Sequence, residues 1–331
     1  MGADMRRVSG VGKICKVAVC ALVLCFSIAA FDTLSRERKK SPSVELLNAA
    51  KLADARAGDR PFKISAVIKL MQGMTQAEGT YQLIWDSPTR WREEVSFPDF
   101  HQIQVSATGG VWEKREPYFL SLRMWQLMQA LGFYGRFELS NEESAGKIKR
   151  IKNQGSDLRC VEIKRNSYPV DEFCFHEDTA QLLSEHYLPS DRVYEFTDYR
   201  NIGSKFLPGH IAVREGKTPA ADFSVTDVRE MDSVPASSFE QPAQAEWRPW
   251  CASPESGGDP LTPIYSFLGQ HKGTATLYGA IGTDGQWHRV HVLESGGADH
   301  DTEVLEGLRK ERWKPSLCNG SPIVVETVFR R

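Results

Sequence analysis

The stretch PFKISAVIK (61–69) decides the fold class. Phe62, Ile64, Ala66 and Ile68 alternate with Lys63, Ser65 and Lys69. A period of two places the apolar set on one face of a strand and the polar set on the other. One face needs cover and the other does not, so the segment reads as a half-buried strand. The pattern continues outward. Strands expected at 79–85 and 89–97 are joined by Asp86-Ser87-Pro88, and strands at 101–107 and 111–114 flank Gly109-Gly110. Both joints carry turn chemistry, so the run is an antiparallel meander, with Trp85, Trp91 and Trp112 in it. After Gly146 further strands are expected at 147–152, 158–164, 170–176, 181–187, 192–199, 205–214 and 222–228.

One helix interrupts the strands. YFLSLRMWQLMQAL (118–131) contains no Gly or Pro, and Leu120, Met124, Leu127, Met128 and Leu131 repeat at three and four. Trp125 and Leu122 widen this stripe, and Arg123 is the single charge, so the helix must be covered. The concave face of a curved sheet would cover it. The expected architecture is therefore α+β, a curved antiparallel half-barrel with helices on its concave face. An Ala-rich stretch, 46–57, supplies a second helix. Met124, Trp125, Met128 and Leu131, with Trp91 and Trp112 from the sheet, are the candidate lining of an apolar cavity. The same stripe also suits an ordinary core helix.

The two ends add organisation. Residues 1–30 carry Arg6, Arg7, Lys13 and Lys16 ahead of the apolar run VAVCALVLCFSIAA (17–30). At a rise of about 1.5 Å per residue the run spans roughly 21 Å, short of a bilayer's roughly 30 Å hydrocarbon core. With small residues at its end it reads as a signal peptide. The basic cluster Arg36, Arg38, Lys39 and Lys40 leaves an uncleaved N-terminal anchor as the alternative, and hence membrane contact through the N-terminus. A polar lead, 31–45, precedes the half-barrel, 46–242. Six of the 17 prolines fall within 235–263, and 243–263 is read as a linker. The remainder, 264–331, orders its elements β-β-α-β. A strand at 273–281 turns through Thr283-Asp284-Gly285 into a second, 286–293. A helix at 302–312 is capped by Asp301, and a last strand follows at 323–329.

Two families are similar to these parts. Thr283-Asp284-Gly285, Val292-Leu293, Ser295-Gly296, Arg312-Trp313-Lys314-Pro315 and Asn319-Gly320-Ser321-Pro322-Ile323 resemble the C-terminal domain of TonB-type energy transducers, over about sixty residues. The resemblance implies a periplasmic interaction module that pairs a partner's extended segment with an exposed strand edge. Carried over, that edge is Ile323, Val324, Val325, Thr327 and Phe329. Gly79-Thr80-Tyr81, the run SPTRWRE (87–93), Phe175, Leu182-Leu183, FSVTDV (223–228) and FEQP (239–242) resemble the outer-membrane lipoprotein carrier and sorting family, with LolA-, LolB- and RseB-like members. That resemblance implies a cavity for an acyl chain or a lipoprotein. Together they give the expected function: a non-enzymatic cell-envelope binding protein. It holds a lipid or lipoprotein acyl chain in the half-barrel and docks a periplasmic or outer-membrane protein through the small module. It is periplasmic, or anchored in the inner membrane. The alternative is a membrane-anchored TonB-type transport-coupling protein.

Cysteines fit export. Cys15, Cys20 and Cys25 lie in the N-terminal segment, leaving Cys160, Cys174, Cys251 and Cys318, and an even count suggests disulfides. Three pairings exist. Cys160 and Cys174 are equidistant from the turn near Ser167, a register that suits a cross-strand bridge. Cys251 and Cys318 then bridge or remain thiols.

Other chemistries are excluded by pattern. With 41 basic and 43 acidic residues the net charge is −2, which gives no support to nucleic-acid binding. There is no CxxC, G-x-S-x-G, H-E-x-x-H or phosphate-cradling loop, so neither a cofactor nor a metal is expected. His288 and His291 stand three apart on a strand and face opposite sides. Glu93 and Glu94 also face opposite sides, and read as exposed strand charges.

Overall fold

The computed structural model describes residues 41–331, except 73–74, 133–136, 138, 140–142, 154–155, 250, 252–272 and 319. The export segment, most of the linker and Asn319 lie outside the described residues. Residues 42–331 form one compact unit. Among the described residues no helix is long and apolar enough to cross a membrane.

Helix α1 (Pro42–Ala53) comes first. It starts four residues before the expected 46 because Pro42 suits a first helical turn and Glu45 complements the helix dipole. It ends before Asp54, which caps the turn Ala55–Ala57. Then come β1 (Phe62–Gln72), β2 (Thr75–Ser87), β3 (Arg90–Phe97), β4 (Phe100–Ala107) and β5 (Gly110–Glu116). Helix α2 (Leu122–Leu131) follows. It is shorter than the apolar run because Ser121 caps it, its Oγ accepting from the Met124 N–H at 3.3 Å, so 118–120 stay outside.

The strands continue with β6 (Glu143–Ala145), β7 (Lys149–Asn153), β8 (Ser156–Arg165), β9 (Tyr168–His176), β10 (Leu182–Tyr187) and β11 (Arg192–Thr197). Next are β12 (Arg200–Ile202), β13 (Lys205–Leu207), β14 (His210–Glu215), β15 (Thr218–Glu230) and β16 (Glu246–Pro249). The single strand expected at 205–214 is broken at Pro208-Gly209. Pro208 has no N–H for a ladder, and a Cβ on Gly209 would lie 2.2 Å from the Asp198 carbonyl oxygen. The first half pairs with β12 as a separate hairpin.

Fourteen strands make one sheet in the order β16-β5-β4-β3-β2-β1-β15-β14-β11-β10-β9-β8-β6, with β7 also on β8. The pairs are antiparallel and β16 does not meet β6, so the sheet is not closed. Both helices share one face of it, here the inner face, in a continuous core with Phe62, Ile68, Phe175, Phe196 and Phe223. Within 243–263, the segment read as a linker, β16 extends this sheet beside β5.

The C-terminal part comprises β17 (Thr276–Ile281), β18 (Trp287–Glu294), α3 (Ala298–Lys310), β19 (Ser316–Cys318), β20 (Ser321–Ile323) and β21 (Val325–Arg330). β17 is buried throughout and lies between β18 and β21. Gly285 supplies the turn, at φ +71°, where a Cβ would sit 2.2 Å from the Trp313 carbonyl oxygen. Trp313 packs edge-on against Trp287 and Phe329. α3 begins before the expected 302, and Gly297, not Asp301, is its N-cap. Asp301 instead accepts from Ser295 Oγ at 2.5 Å and the Gly296 N–H at 2.9 Å, tying down the loop before the helix. The last strand breaks at Val324, which is exposed. Ile323 therefore belongs to β20 and pairs with Ser316. Both disulfides are formed, Cys160–Cys174 and Cys251–Cys318.

Candidate functional site

The inner face is apolar over β1–β3, where Ile64, Ile68, Leu83, Trp85, Trp91 and Val95 are buried. α2 crosses β1, β14 and β15 and turns Met124, Leu127 and Ala130 into the core. Beneath its C-terminal end lies a cavity of about 40 Å³, lined by Leu131, Tyr81, Phe62 and Phe223. Phe62, Ile64, Tyr81, Leu83, Ala130 and Phe223 are buried together around it. Arg56 fixes this end. It donates to Asp54 at 3.0 and 2.9 Å and to the Leu131 carbonyl at 2.7 Å, satisfying an orphan acceptor of the last turn.

Toward β4 and β5 the inner face becomes polar. Gln102, Ser106 and Glu113 are buried there, on the face shared with Glu93 by register. Glu93 accepts from the Tyr81 hydroxyl at 3.0 Å, and its other oxygen is buried without a hydrogen bond among the described residues. Burial pushes its carboxyl up to about 7, against the opposing pull of Tyr81 and Arg56. The sequence reading of Glu93 as an exposed strand charge is thus corrected. Its neighbour Glu94, on the other face, pairs with His101 and Arg92.

The small sheet covers what α2 leaves open. Trp125 meets Tyr278 edge-on at 6.1 Å, and Phe119 stacks on His291 at 3.6 Å. Arg115 centres a polar contact. It donates to Gln102 (2.9 Å), Glu113 (2.8 Å), the Tyr278 hydroxyl (2.7 Å) and Glu326 of β21 (2.9 Å). Arg248 of β16 also reaches Glu113 and Glu326. Burial raises the Glu326 carboxyl, but Arg115 and Arg248 outweigh it and hold it below the usual range. A second set centres on Glu215, which accepts from Arg123 and Gln126 of α2 at 2.7 Å each and from Arg330 of β21 at 3.2 Å.

Two clefts flank this contact. The first, about 330 Å³, is lined by Leu70, Phe97, Phe100, Phe119, Met124 and Leu293, with Thr75, Asp99, Arg123 and His291 among its polar groups. The second, about 480 Å³, lies between α2, β9–β11 and β21 and is more polar. Both exceed or reach the lower bound of about 300 Å³ common for ligand sites.

The expected lining residues are therefore spread out. Met124 borders the first cleft, Trp125 the second and Leu131 the small interior cavity. Met128 packs half-buried in the core and Trp91 is buried in it. Trp112 stands on the opposite face of the sheet from Trp91 by register, against Trp247 at 5.0 Å. Of the expected edge residues, Val325, Thr327 and Phe329 lie in β21, which among the described residues has β17 as its one sheet neighbour. Phe100, Phe119, Arg115 and Glu326 were not singled out from sequence. Gln102 and Gln104, then Glu113 and Arg115, fall at alternate positions in adjoining strands, and that polar run on a face otherwise apolar was the available signal.

No protein-family model matches the sequence, and no curated protein matches it. Solved structures resemble it at low identity. A DUF1329 family protein from Desulfovibrio piger shares 12% identity, covering 61% of this chain and 98% of its own, with a TM-score of 0.44. A LolA superfamily protein from Nitrosomonas europaea shares 12%, covering 60% and 97%, at 0.36. The MucA/MucB complex of Pseudomonas aeruginosa contributes a chain with 11% identity, covering 68% of each, at 0.29. At these scores the functional argument rests on the geometry described above.

Proposed function

We propose that this chain is a non-enzymatic cell-envelope binding protein. It holds an apolar ligand, a lipid or lipoprotein acyl chain, in the first cleft. One observation carries the reading: a cleft of about 330 Å³ walled by Leu70, Phe97, Phe100, Phe119, Met124 and Leu293 opens where α2, the β1–β4 end of the large sheet and β18 meet. Burying a chain there gains roughly 25 cal/mol per Å² of apolar surface. Arg123 and His291 stand where a polar head group would sit. In this reading α2 is a wall of the cleft and the packed interior beneath it is scaffold. The small β-β-α-β part is the docking module, similar to that of TonB-type proteins, with Val325, Thr327 and Phe329 on the edge strand offered to an envelope partner.

The test is native mass spectrometry of the full chain purified from the cell envelope of its host under non-reducing conditions. The expected spectrum shows an added mass that solvent extraction removes and that fits a lipid. Ala77→Trp, at an exposed strand position on the cleft wall, should abolish the adduct while leaving the thermal transition in place. A bare protein mass, or an adduct that Ala77→Trp leaves untouched, would overturn the assignment.

A further inference from the structure

We infer that the second cleft is a binding site for a neutral, hydroxyl-rich ligand, a short oligosaccharide, separate from the apolar cleft. Its floor carries Asp171, Tyr187 and Arg192, a cross-strand row on the inner face set by the pairings of β9, β10 and β11, and Glu215 of β14 continues that row beyond the lining. A row of acid, phenol, guanidinium and acid is out of place on a face that elsewhere buries Phe173, Phe175, Phe196 and Phe223. Buried polar groups are retained when something satisfies them. Part of the row satisfies itself. Arg192 lies over the Tyr187 ring at 5.6 Å and donates to the Tyr194 hydroxyl at 3.2 Å. Part is left over. Arg192 Nε and Ser190 Oγ are buried and make no hydrogen bond among the described residues, and both residues line the cleft.

Charge narrows the ligand. Asp171 and Glu185 oppose Arg192 and Arg330 around the cleft, so a strongly anionic or cationic molecule meets like charge on one side. Burial, then the Asp171 carboxylate, raises the Tyr187 phenol, which keeps it neutral and able to donate. Carboxylate acceptors, guanidinium donors and hydroxyls that do both match the vicinal hydroxyls of a sugar. Trp125 and Tyr187 supply aromatic faces for its C–H faces, an apolar body with a polar rim. The volume, about 480 Å³, lies within the range of small-molecule sites.

The experiment titrates the full chain with N-acetylglucosamine trimer and with maltotriose at millimolar concentration, following tryptophan fluorescence and calorimetry. Saturable binding of at least one is expected. Arg192→Gln and Tyr187→Ala should weaken it roughly tenfold or more, whereas Tyr187→Phe, which keeps the ring, should retain most of it. Ala77→Trp in the apolar cleft should leave it unchanged, so this proposal and the acyl-chain reading fail separately. Matching thermal transitions check that each variant folds. Absence of binding by both sugars, binding indifferent to Arg192 and Tyr187, or displacement of the sugar by phosphoethanolamine at equal concentration would overturn it.

Discussion

Glu93 shows what a single residue can hide. Its position in TRWREEVSF (89–97) fixes which face it occupies, because alternation is strict in a strand. That face is inner, shared with Trp91 and Val95. Alternation alone does not say how deep a charged position is covered. The cover comes from distant chain, so a charge on the apolar face was the only hint. With the folded carboxyl raised from the ordinary 4.5 of a glutamate to about 7, the folded state keeps a proton that the unfolded chain has lost. Glu93 therefore favours folding least above its folded value. Stability from this group is full below about 4.5, falls as pH rises to about 7, and is level beyond. Glu93→Gln keeps the Tyr81 bond and removes the ionisation. It should stabilise the protein at about pH 8 by on the order of 1–3 kcal/mol and leave it nearly unchanged at about pH 4. Urea unfolding at the two pH values measures this. An equal effect at both would mean that Glu93 does not titrate between them.

Elements were legible where local chemistry decides them and less so where a partner does. The strand periods and the Cys160–Cys174 register follow from neighbours in sequence, and the pairing places Cys160 opposite Cys174. The two hairpins were expected too, but their turns fall at Pro88-Thr89 and Thr108-Gly109, with Asp86 and Ser87 still in β2 and Gly110 already in β5. Helix ends moved because caps, not apolar runs, set them. Ser121 starts α2 and Gly297 starts α3. β16 was invisible because four residues in a Pro-rich stretch have no period to read, and their strand state depends on β5. The Cys160–Cys174 bridge sits in a small buried cluster with Leu158 and closes a separation of 14 residues. In the chain-entropy model it restrains the unfolded state by about 3 kcal/mol. Replacing both cysteines by Ala should lower unfolding free energy by that order, with the binding of either ligand class retained. Denaturant unfolding of the double variant checks it, and an unchanged midpoint would contradict the model.

At the scale of the molecule, the sequence reading divided the chain at a linker, 243–263, and gave no account of how the C-terminal elements meet the large sheet within the one compact unit 42–331. Periodicity reports faces within an element and is silent on which faces of two sheets meet. The contact joins a few aromatics, Phe119–His291 and Trp125–Tyr278, to two carboxylates clasped by arginines, Glu326 and Glu215. Both carboxyls are held below the usual range although burial opposes it, Glu326 by Arg115 and Arg248, and Glu215 by Arg123, Arg330 and Arg192. A depressed folded pKa gives stability that is complete above the unfolded value near 4.5 and is lost as pH falls through the folded one. Acid therefore acts on this contact, whereas Phe62, Phe175 and Phe223 at the centre of the large sheet's core do not titrate. Lowering the pH from about 5 should first change the near-ultraviolet dichroism of Trp125 and Tyr278, with the far-ultraviolet strand signal following at lower pH. Arg115→Gln leaves Glu113 and Glu326 with less counter-charge. Breaking such a pair costs roughly 3–5 kcal/mol, so the variant should show the first change already near neutral pH. Coincident near- and far-ultraviolet transitions in both proteins would mean that the aromatic contacts, not the carboxylates, hold the small sheet over α2. Both clefts would then be fixed features of the fold, insensitive to acid.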